Sequence, residues 1–186
     1  MLHGLAGEWG LPPDSAVRNP GEGRQSVLKL ESREVSLVAV YAALYAALVI
    51  VFSPISFGVL QFRLAGVLRP GIARMRLLAA AYAIGVVVGN ILSPYAGIYE
   101  LLFMPAASLA AGLVGYEVSK RLGGGYWTCG VVVATIIPIC VSWMLGQLIN
   151  LPMVVTLPGL LVSEQLVNLI GSGLFTVIDR RLKWWV

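Results

Sequence analysis

Long apolar stretches, separated by short polar breaks, follow one another from residue 35 to the end of the chain. A helix needs about 20 mostly apolar residues to cross a bilayer, and five stretches meet or approach that length. They lie at 35–52, 77–93, 98–116, 127–149 and 151–178. Pro138 predicts a kink in the fourth stretch, and Pro158 marks the expected start of the helix in the fifth.

The segment 53–73 decides the topology, because it is apolar but interrupted by prolines, glycines and arginines. If it does not cross, the 13 Lys and Arg residues divide 4 against 9 between the two sides. If it crosses, they divide 12 against 1: Arg69 lies on the side with twelve, and Arg63 alone lies on the opposite side. Positive residues collect on the cytoplasmic side, so the second arrangement is expected. The sequence therefore predicts six crossings of the cell membrane, with both termini cytoplasmic.

The second crossing is too short for an ordinary spanning helix. Residues 64–72 give roughly 13 Å of α-helix against a hydrocarbon core of about 30 Å. We therefore expect the loop 53–62 to dip into the protein, and interrupted elements of this kind mark binding sites in transporters. The predicted fold is an all-α integral membrane protein, a six-helix bundle with a short or broken second helix. Residues 1–34 are expected to be a mobile cytoplasmic tail, and 35–186 the transmembrane substrate-binding domain.

Composition narrows the class of protein. Hydrophobic residues make up 58% of the chain and charged residues 12%, about half the roughly 25% charge of a soluble domain. This excludes an ordinary cytosolic enzyme, a disordered chain and a disulfide-stapled secreted domain. We interpret the net charge of +4 by its distribution between the two sides of the membrane, not as evidence for nucleic-acid binding.

Little in the sequence points to catalysis or to a metal. Cys129 and Cys140 lie in one apolar stretch and are interpreted as small buried hydrophobic residues. The single histidine, His3, lies in the polar tail, and no phosphate-binding G-x-x-x-x-G-K-[ST] motif is present. We expect no catalytic residues, metal ligands or cofactor, so energy must come from a gradient or from another subunit.

The outer half of the predicted bundle contains three charged residues, Arg63, Glu100 and Glu164, with Gln61 and Asn90 nearby. An ionisable residue within the membrane is costly and is a candidate functional residue. Two readings stay open: Arg63 pairs with Glu100 or Glu164 to fix helix positions, or these groups bind a polar small molecule. A carboxylate accepts hydrogen bonds from an amino-pyrimidinone edge or an ammonium group.

Aromatic residues and small residues add two further candidates. Phe62, Tyr99 and Trp143 are of a type that stacks on a planar ring, although aromatics at helical spacing more often simply pack. Alanines recur every four residues in the first span, and small residues at this spacing let another helix approach closely. The stripe consists of Ala39, Ala43 and Ala47, with Ala42 and Ala46 beside it. It serves either a partner protein or packing inside the bundle.

These features together resemble the QueT-type queuosine-precursor S components, the substrate-binding subunits of energy-coupling factor (ECF) transporters. The resemblance covers roughly residues 38–183. Its most specific part is Pro-Ile-Ser-Phe-Gly at 54–58 followed by Gln-Phe-Arg at 61–63, in the loop after the first helix. The polar residues from Asn90 to Pro94, Glu100 (where the family tends to Asp) and Glu164 are similarly placed. After Gln-Phe-Arg the family continues to a Glu that is Gly66 in this chain.

The resemblance implies a function for each group of residues. Gln61, Phe62 and Arg63 would form the wall of a gating loop, and Glu164, Glu100 and Asn90 would bind a deazaguanine base. Ala39, Ala43 and Ala47 would face a transmembrane coupling subunit driven by two cytosolic ATPases. The alternatives are an S component for another vitamin-like solute, a solitary carrier in which Glu164 titrates with a proton gradient, and a non-transporting membrane protein.

Overall fold

The computed structural model of the chain describes residues 31–57, 62–182 and 184. The described residues are helical and contain no β-strand. The described residues from Ser32 onward form one compact unit. The helices are α1 (Ser32–Val51), α2 (Ser53–Ser56), α3 (Leu64–Arg74), α4 (Leu77–Asn90), α5 (Tyr99–Arg121), α6 (Tyr126–Ile149) and α7 (Met153–Arg181). Ser32, Arg33 and Glu34 of the predicted tail belong to α1, and residues 1–30 of that predicted tail lie outside the described residues.

Four of these helices are long and apolar enough to cross a membrane. They are α1, α5, α6 and α7, with 20, 23, 24 and 29 residues, and α4 is a shorter apolar helix of 14 residues. Large aliphatic side chains on their outer surfaces stay exposed, as at Val40, Val154, Val162, Ile170 and Val177. Apolar surface of this extent is costly in water and is satisfied by lipid, so the described chain has the surface of a multi-pass membrane protein.

Segment 53–73, on which the predicted topology depended, contains all but the last residue of the central helix of the structure, α3. α3 is a 3₁₀ helix of 11 residues, eight of them buried, and it contacts α1, α4, α5, α6 and α7. A 3₁₀ helix rises about 2.0 Å per residue, so α3 extends about 22 Å rather than the roughly 13 Å expected for a shorter α-helix. Because it is enclosed by other helices, its irregular backbone is shielded from lipid.

Close helix approaches at two glycines set the positions of α3 and α4. A β-carbon at Gly85 would lie 2.9 Å from Tyr45 Cβ on α1. A β-carbon at Gly171 would collide with the Val67 carbonyl oxygen, so α7 and α3 touch through backbone. Both sites need a residue without a side chain.

Hydrogen bonds between helix termini define one end of the molecule. Arg63, which precedes α3, donates from Nη2 to Asn90 Oδ1 at the end of α4 (3.2 Å). Asn90 Nδ2 donates to the Glu100 carbonyl at the start of α5 (3.2 Å), and Ser142 Oγ on α6 donates to the Met153 carbonyl at the start of α7 (3.2 Å). We call this the Arg63 end.

The opposite end collects most of the positive charge. Three hydrogen bonds join helix termini there: Arg33 to the Trp184 carbonyl, Arg74 to Asp179, and Ser119 to the Gly125 carbonyl. The basic residues at this cationic end within the described ranges are Arg33, Arg74, Arg76, Lys120, Arg121, Arg180 and Arg181. α3 thus connects the two ends, with Arg63 before its first residue and Arg74 at its last.

Two sequence expectations are wrong in detail. Arg69 does not join the cationic end, because it lies midway along α3 and is 2% exposed. The helix of the fifth apolar stretch begins at Met153 and runs through Pro158. The Pro152 carbonyl accepts the N–H groups of Val155 and Thr156, so the first turn forms before the proline.

Candidate functional site

Arg63 is the single described basic residue at the Arg63 end, and it is buried (5% exposed). Its guanidinium lies over the Phe57 ring, 5.4 Å from the ring centroid, and donates to Asn90 Oδ1. Since α3 begins at the next residue, the bond ties the start of α3 to the end of α4. Of the pairings left open by the sequence, that of Arg63 with Glu164 is not formed, because Glu164 binds Arg69.

Asn90 joins three elements. It is fully buried at the last position of α4, and its amide accepts from Arg63 and donates to the backbone carbonyl of Glu100. A buried amide with both groups bonded holds its neighbours in a single arrangement. Asn90 therefore positions Arg63 and the first turn of α5 relative to each other.

Glu100 is the unusual group of this cluster. It lies in the π-helical turn Tyr99–Phe103 that opens α5, a backbone form that is frequent at functional sites. The residue is 1% exposed, and neither carboxylate oxygen has a hydrogen-bond partner of good geometry in the described part of the chain, although the Ser93 hydroxyl is close enough to act as a weak donor. Arg63 and Ser93 are the polar residues close enough to influence it. A buried carboxylate with unused acceptor capacity is costly, and it is suited to a ligand that brings hydrogen-bond donors.

An aromatic cluster involves the first turn of α5, the turn that contains Glu100. Trp143 on α6 packs against Tyr99, with ring centroids 6.0 Å apart, and against Phe103, at 5.0 Å. Trp143 also lines a depression of about 310 Å³ together with Gln147 and Asn150. Two of the three aromatics proposed from sequence for stacking, Tyr99 and Trp143, are therefore brought together, and Tyr99 directly precedes Glu100 in the chain.

Phe62 and Gln61 are placed differently. Phe62 lines an apolar groove with residues of α7, among them Pro158, Val162 and Leu166. This groove is apart from the contacts that Arg63 makes with Asn90 and Phe57. Gln61 lies outside the described residues.

Glu164 belongs to a second cluster deeper along the helices. Both of its oxygens accept from the Arg69 guanidinium, and the two side chains are almost completely buried. Arg69 also lies over the Tyr82 ring, 5.4 Å from its centroid, and 3.5 Å separates its Nη2 from Tyr45 Oη. Arg69 is the residue that sequence reasoning missed. A lone arginine in an apolar segment could have indicated a buried functional or structural residue. The count of loop charges instead assigned Arg69 to the cationic end.

Gly66 faces this second cluster rather than the first. A β-carbon there would lie 3.2 Å from Arg69 Nη1 and 3.1 Å from Val167 Cγ1. A carboxylate at position 66 would thus meet Arg69, whose charge Glu164 already balances. Gly66 therefore faces Arg69 and α7 in this structure.

The alanine stripe divides into two faces of α1. Ala42 and Ala46 are buried, and a β-carbon at Gly85 on α4 would lie 3.0 Å from the Ala42 carbonyl oxygen. Ala39, Ala43 and Ala47 are exposed. The predicted partner-facing residues are thus separated from those used for internal packing.

No group of three or more His, Cys, Asp or Glu residues that could hold a metal ion occurs within the described ranges. Cys129 is buried and Cys140 is half-buried, and both are free thiols. The chemistry available at the Arg63 end is therefore hydrogen bonding, charge and aromatic stacking.

Helices of membrane-spanning length with apolar outer surfaces indicate a multi-pass integral membrane protein. Comparison with protein families makes the assignment specific: the model of the QueT transporter family matches residues 35–180, so the chain belongs to that family. This membership indicates a role in transport rather than in catalysis. Neither a curated protein nor a solved structure matches the chain.

Proposed function

We propose that this chain is the membrane-embedded substrate-binding subunit, or S component, of an ECF-type importer. It would bind a queuosine precursor, a deazaguanine base, at the Arg63 end. Membership of the QueT transporter family and the multi-pass helical surface support the class. The ECF assembly and the ligand rest on the resemblance of residues 54–63 to the S-component loop.

A six-crossing topology with cytoplasmic termini is part of this proposal. It is supported by the path of α3, which connects the two ends, and by the seven described basic residues at the cationic end. Arg63 is the described basic residue at the opposite end, so the charge asymmetry has the sense expected for a cytoplasmic cationic end in the cell membrane. The Arg63 end then faces outward, where an importer meets its substrate.

The observation that carries the proposal is the buried Glu100 carboxylate with its unused acceptor capacity. A deazaguanine base presents a ring N–H and an exocyclic amino group side by side, and a carboxylate accepts from both. In this proposal Arg63 supplies a donor for the base carbonyl, and Tyr99 and Trp143, which pack against each other, supply rings that would stack on the base. Glu100 therefore replaces Glu164 as the preferred acceptor, because Glu164 is engaged by Arg69.

Transport requires partners in this proposal. Ala39, Ala43 and Ala47 are exposed on α1 and would contact the transmembrane coupling subunit. The sequence has no phosphate-binding loop, so two cytosolic ATPases would supply the energy. Gln61 and Phe62 would complete the wall of the site when the loop closes on the base.

The test is a titration of the purified chain in detergent, read by tryptophan fluorescence and checked by calorimetry. The probes are the cyano and aminomethyl deazaguanines and queuine, with guanine, riboflavin and biotin for comparison. Selective, saturable binding of the deazaguanines is expected. Trp143→Phe should abolish most of the fluorescence change while the calorimetric affinity remains within a few-fold, because Trp143 packs against Tyr99 in the turn of α5 that contains Glu100.

Two results would contradict the proposal. Selective binding of another solute would keep the transport class and overturn the substrate. Gradient-driven uptake by liposomes that contain this chain alone would favour the solitary carrier. The Arg69–Glu164 ion pair already weighs against that carrier, since its titrating carboxylate is held by a buried cation.

A further inference from the structure

We propose that the groove between α1 and α7 at the cationic end binds an anionic phospholipid. In this arrangement an acyl chain lies in the groove and the phosphate contacts the arginines at its rim. The site is independent of the solute site, which is at the other end of the molecule.

The walls of the groove are suited to an acyl chain. They expose no polar surface and enclose about 330 Å³. The lining residues are Leu37, Val40, Tyr41, Leu44, Leu68, Leu78, Leu174, Phe175, Ile178 and Trp184. Tyr41 contributes only its ring, because its hydroxyl donates to the Leu68 carbonyl at 2.9 Å. A groove of this kind between two spanning helices opens to the hydrocarbon of the bilayer.

The depth of the groove matches the order of groups in a phospholipid. Along α1 it runs from Leu37 to Leu44, about 7 to 18 Å from the start of the helix at Ser32. Arg33 lies one residue after that start, and its Nη2 donates to the carbonyl of Trp184, a residue that lines the groove. The apolar part therefore lies at the level of the acyl chains, and Arg33 lies at the level of the headgroups.

Charge at the rim selects a negative headgroup. Arg33, Arg180 and Arg181 are exposed at the adjoining ends of α1 and α7. The acidic residues of the same two ends are engaged within the protein: Asp179 binds Arg74 at 2.8 Å, and Glu31 and Glu34 have partners of their own. Basic pockets between spanning helices are a known way to hold anionic headgroups. An electroneutral lipid would leave this positive charge unmatched.

The groove is separate from the alanine stripe. Leu37, Val40 and Leu44 recur at three- and four-residue spacing on one side of α1, whereas Ala39 and Ala43 fall on another side of the helix. A coupling subunit on the stripe and a lipid in the groove would therefore occupy neighbouring surfaces.

The experiment uses Trp184 as a reporter at the groove. A variant of the full chain keeps this residue and replaces the other tryptophans by phenylalanine, at positions 9, 127, 143 and 185. It is reconstituted in vesicles that contain equal amounts of phosphatidylglycerol and phosphatidylcholine, with brominated acyl chains on one lipid or the other. Because bromine quenches at contact, stronger quenching by labelled phosphatidylglycerol reports its enrichment in the groove. We expect a preference of about fivefold per arginine.

Separate variants test the arginine rim and the apolar groove. Replacing all three rim arginines, as Arg33→Gln, Arg180→Gln and Arg181→Gln together, should make the two labelled lipids quench equally. Leu174→Phe should fill the groove and reduce quenching by both, whereas Val177→Phe, at an exposed position of α7 outside the groove, should not. Thermal unfolding in detergent establishes that each variant is folded.

Equal quenching by the two labels in the parent would overturn the proposal, as would a preference that survives loss of all three rim arginines. A Trp184 that neither lipid quenches would show that protein covers the groove, and this too would overturn it.

Discussion

Arg69 and Glu164 lie where α1, α3, α4 and α7 meet, and Arg63 and Glu100 lie where α3, α4 and α5 meet. Each cluster has one buried arginine, one buried glutamate and aromatic neighbours. In the deeper cluster the arginine binds the carboxylate directly. In the other, the arginine binds the Asn90 amide, and the carboxylate has no hydrogen-bond partner of good geometry within the described ranges. Similar residue types thus form an ion pair between Arg69 and Glu164, whereas at the Arg63 end they leave the Glu100 carboxylate with unused acceptor capacity.

The difference teaches how a membrane protein separates stability from binding. A buried ion pair is strongly coupled, so removing one partner leaves an uncompensated charge. A buried acceptor without a partner contributes nothing to stability by hydrogen bonding, and its capacity remains for a ligand. Substitutions in the two clusters should therefore act on different measurements.

The largest effect is expected from Glu164→Gln. It leaves the Arg69 guanidinium buried without its counter-charge and should lower the free energy of unfolding by about 3–5 kcal/mol. Thermal unfolding in detergent measures this, with Glu117→Gln on the exposed side of α5 as the matched control. Replacing both members, as Arg69→Met with Glu164→Leu, should recover part of the loss, because no buried charge remains. A stable Glu164→Gln protein would show that the pair is not structural.

Glu100→Gln should weaken ligand binding without lowering stability, the reverse of what we expect for Glu164→Gln. Loss of the charged acceptor should weaken deazaguanine binding roughly 10- to 100-fold, which corresponds to about 1.5–3 kcal/mol for hydrogen bonds to a charged group. The unfolding temperature should stay the same or rise, since a buried unpaired carboxylate is removed. Calorimetry and thermal unfolding on the same sample separate the two effects. Destabilisation without loss of affinity would reverse the assignments of the two clusters.

Gly171→Ala should disturb the deeper cluster without changing a charge. The added methyl group meets the Val67 carbonyl and displaces α3 from α7, which carry Arg69 and Glu164 respectively. We expect a loss of about 1–3 kcal/mol in unfolding free energy. Gly173→Ala is the control, since its β-carbon would have nothing within 4 Å, and it should stabilise α7 by about 0.5–1 kcal/mol. Effects of the same sign would contradict the packing described.

The smallest effect is expected from Asn90→Ala. It removes the two hydrogen bonds that hold Arg63 and the Glu100 carbonyl, at about 1 kcal/mol each, so stability should fall by about 1–2 kcal/mol. Ligand affinity should also fall, because Arg63 and the first turn of α5 lose their fixed positions. Gln147→Ala, an exposed amide on α6, serves as the stability control. An affinity unchanged by Asn90→Ala would separate Asn90 from the solute site.

Much of the helical architecture was readable from the order of residues. The predicted spans 35–52, 98–116 and 127–149 correspond closely to α1, α5 and α6, because apolar length is a local property that a bilayer requires directly. The 3₁₀ form of α3 was not readable, since its backbone geometry is fixed by five surrounding helices. The early start of α7 was missed for a related reason: Thr156 is bonded to Ser142 of α6, a partner distant in sequence.

The candidate site shows the same division. The sequence by itself determined the class of protein, the asymmetry of charge between the two ends and the candidate residues Arg63, Asn90 and Glu100, because an ionisable or amide residue in an apolar segment is conspicuous wherever it lies. Only the tertiary structure decided which arginine meets which glutamate. Arg69 and Glu164 are 95 positions apart, and their contact depends on how closely α3 approaches α7 at Gly171. Whether two charged side chains form an ion pair depends on the distance between them in the folded chain, and helix packing sets that distance.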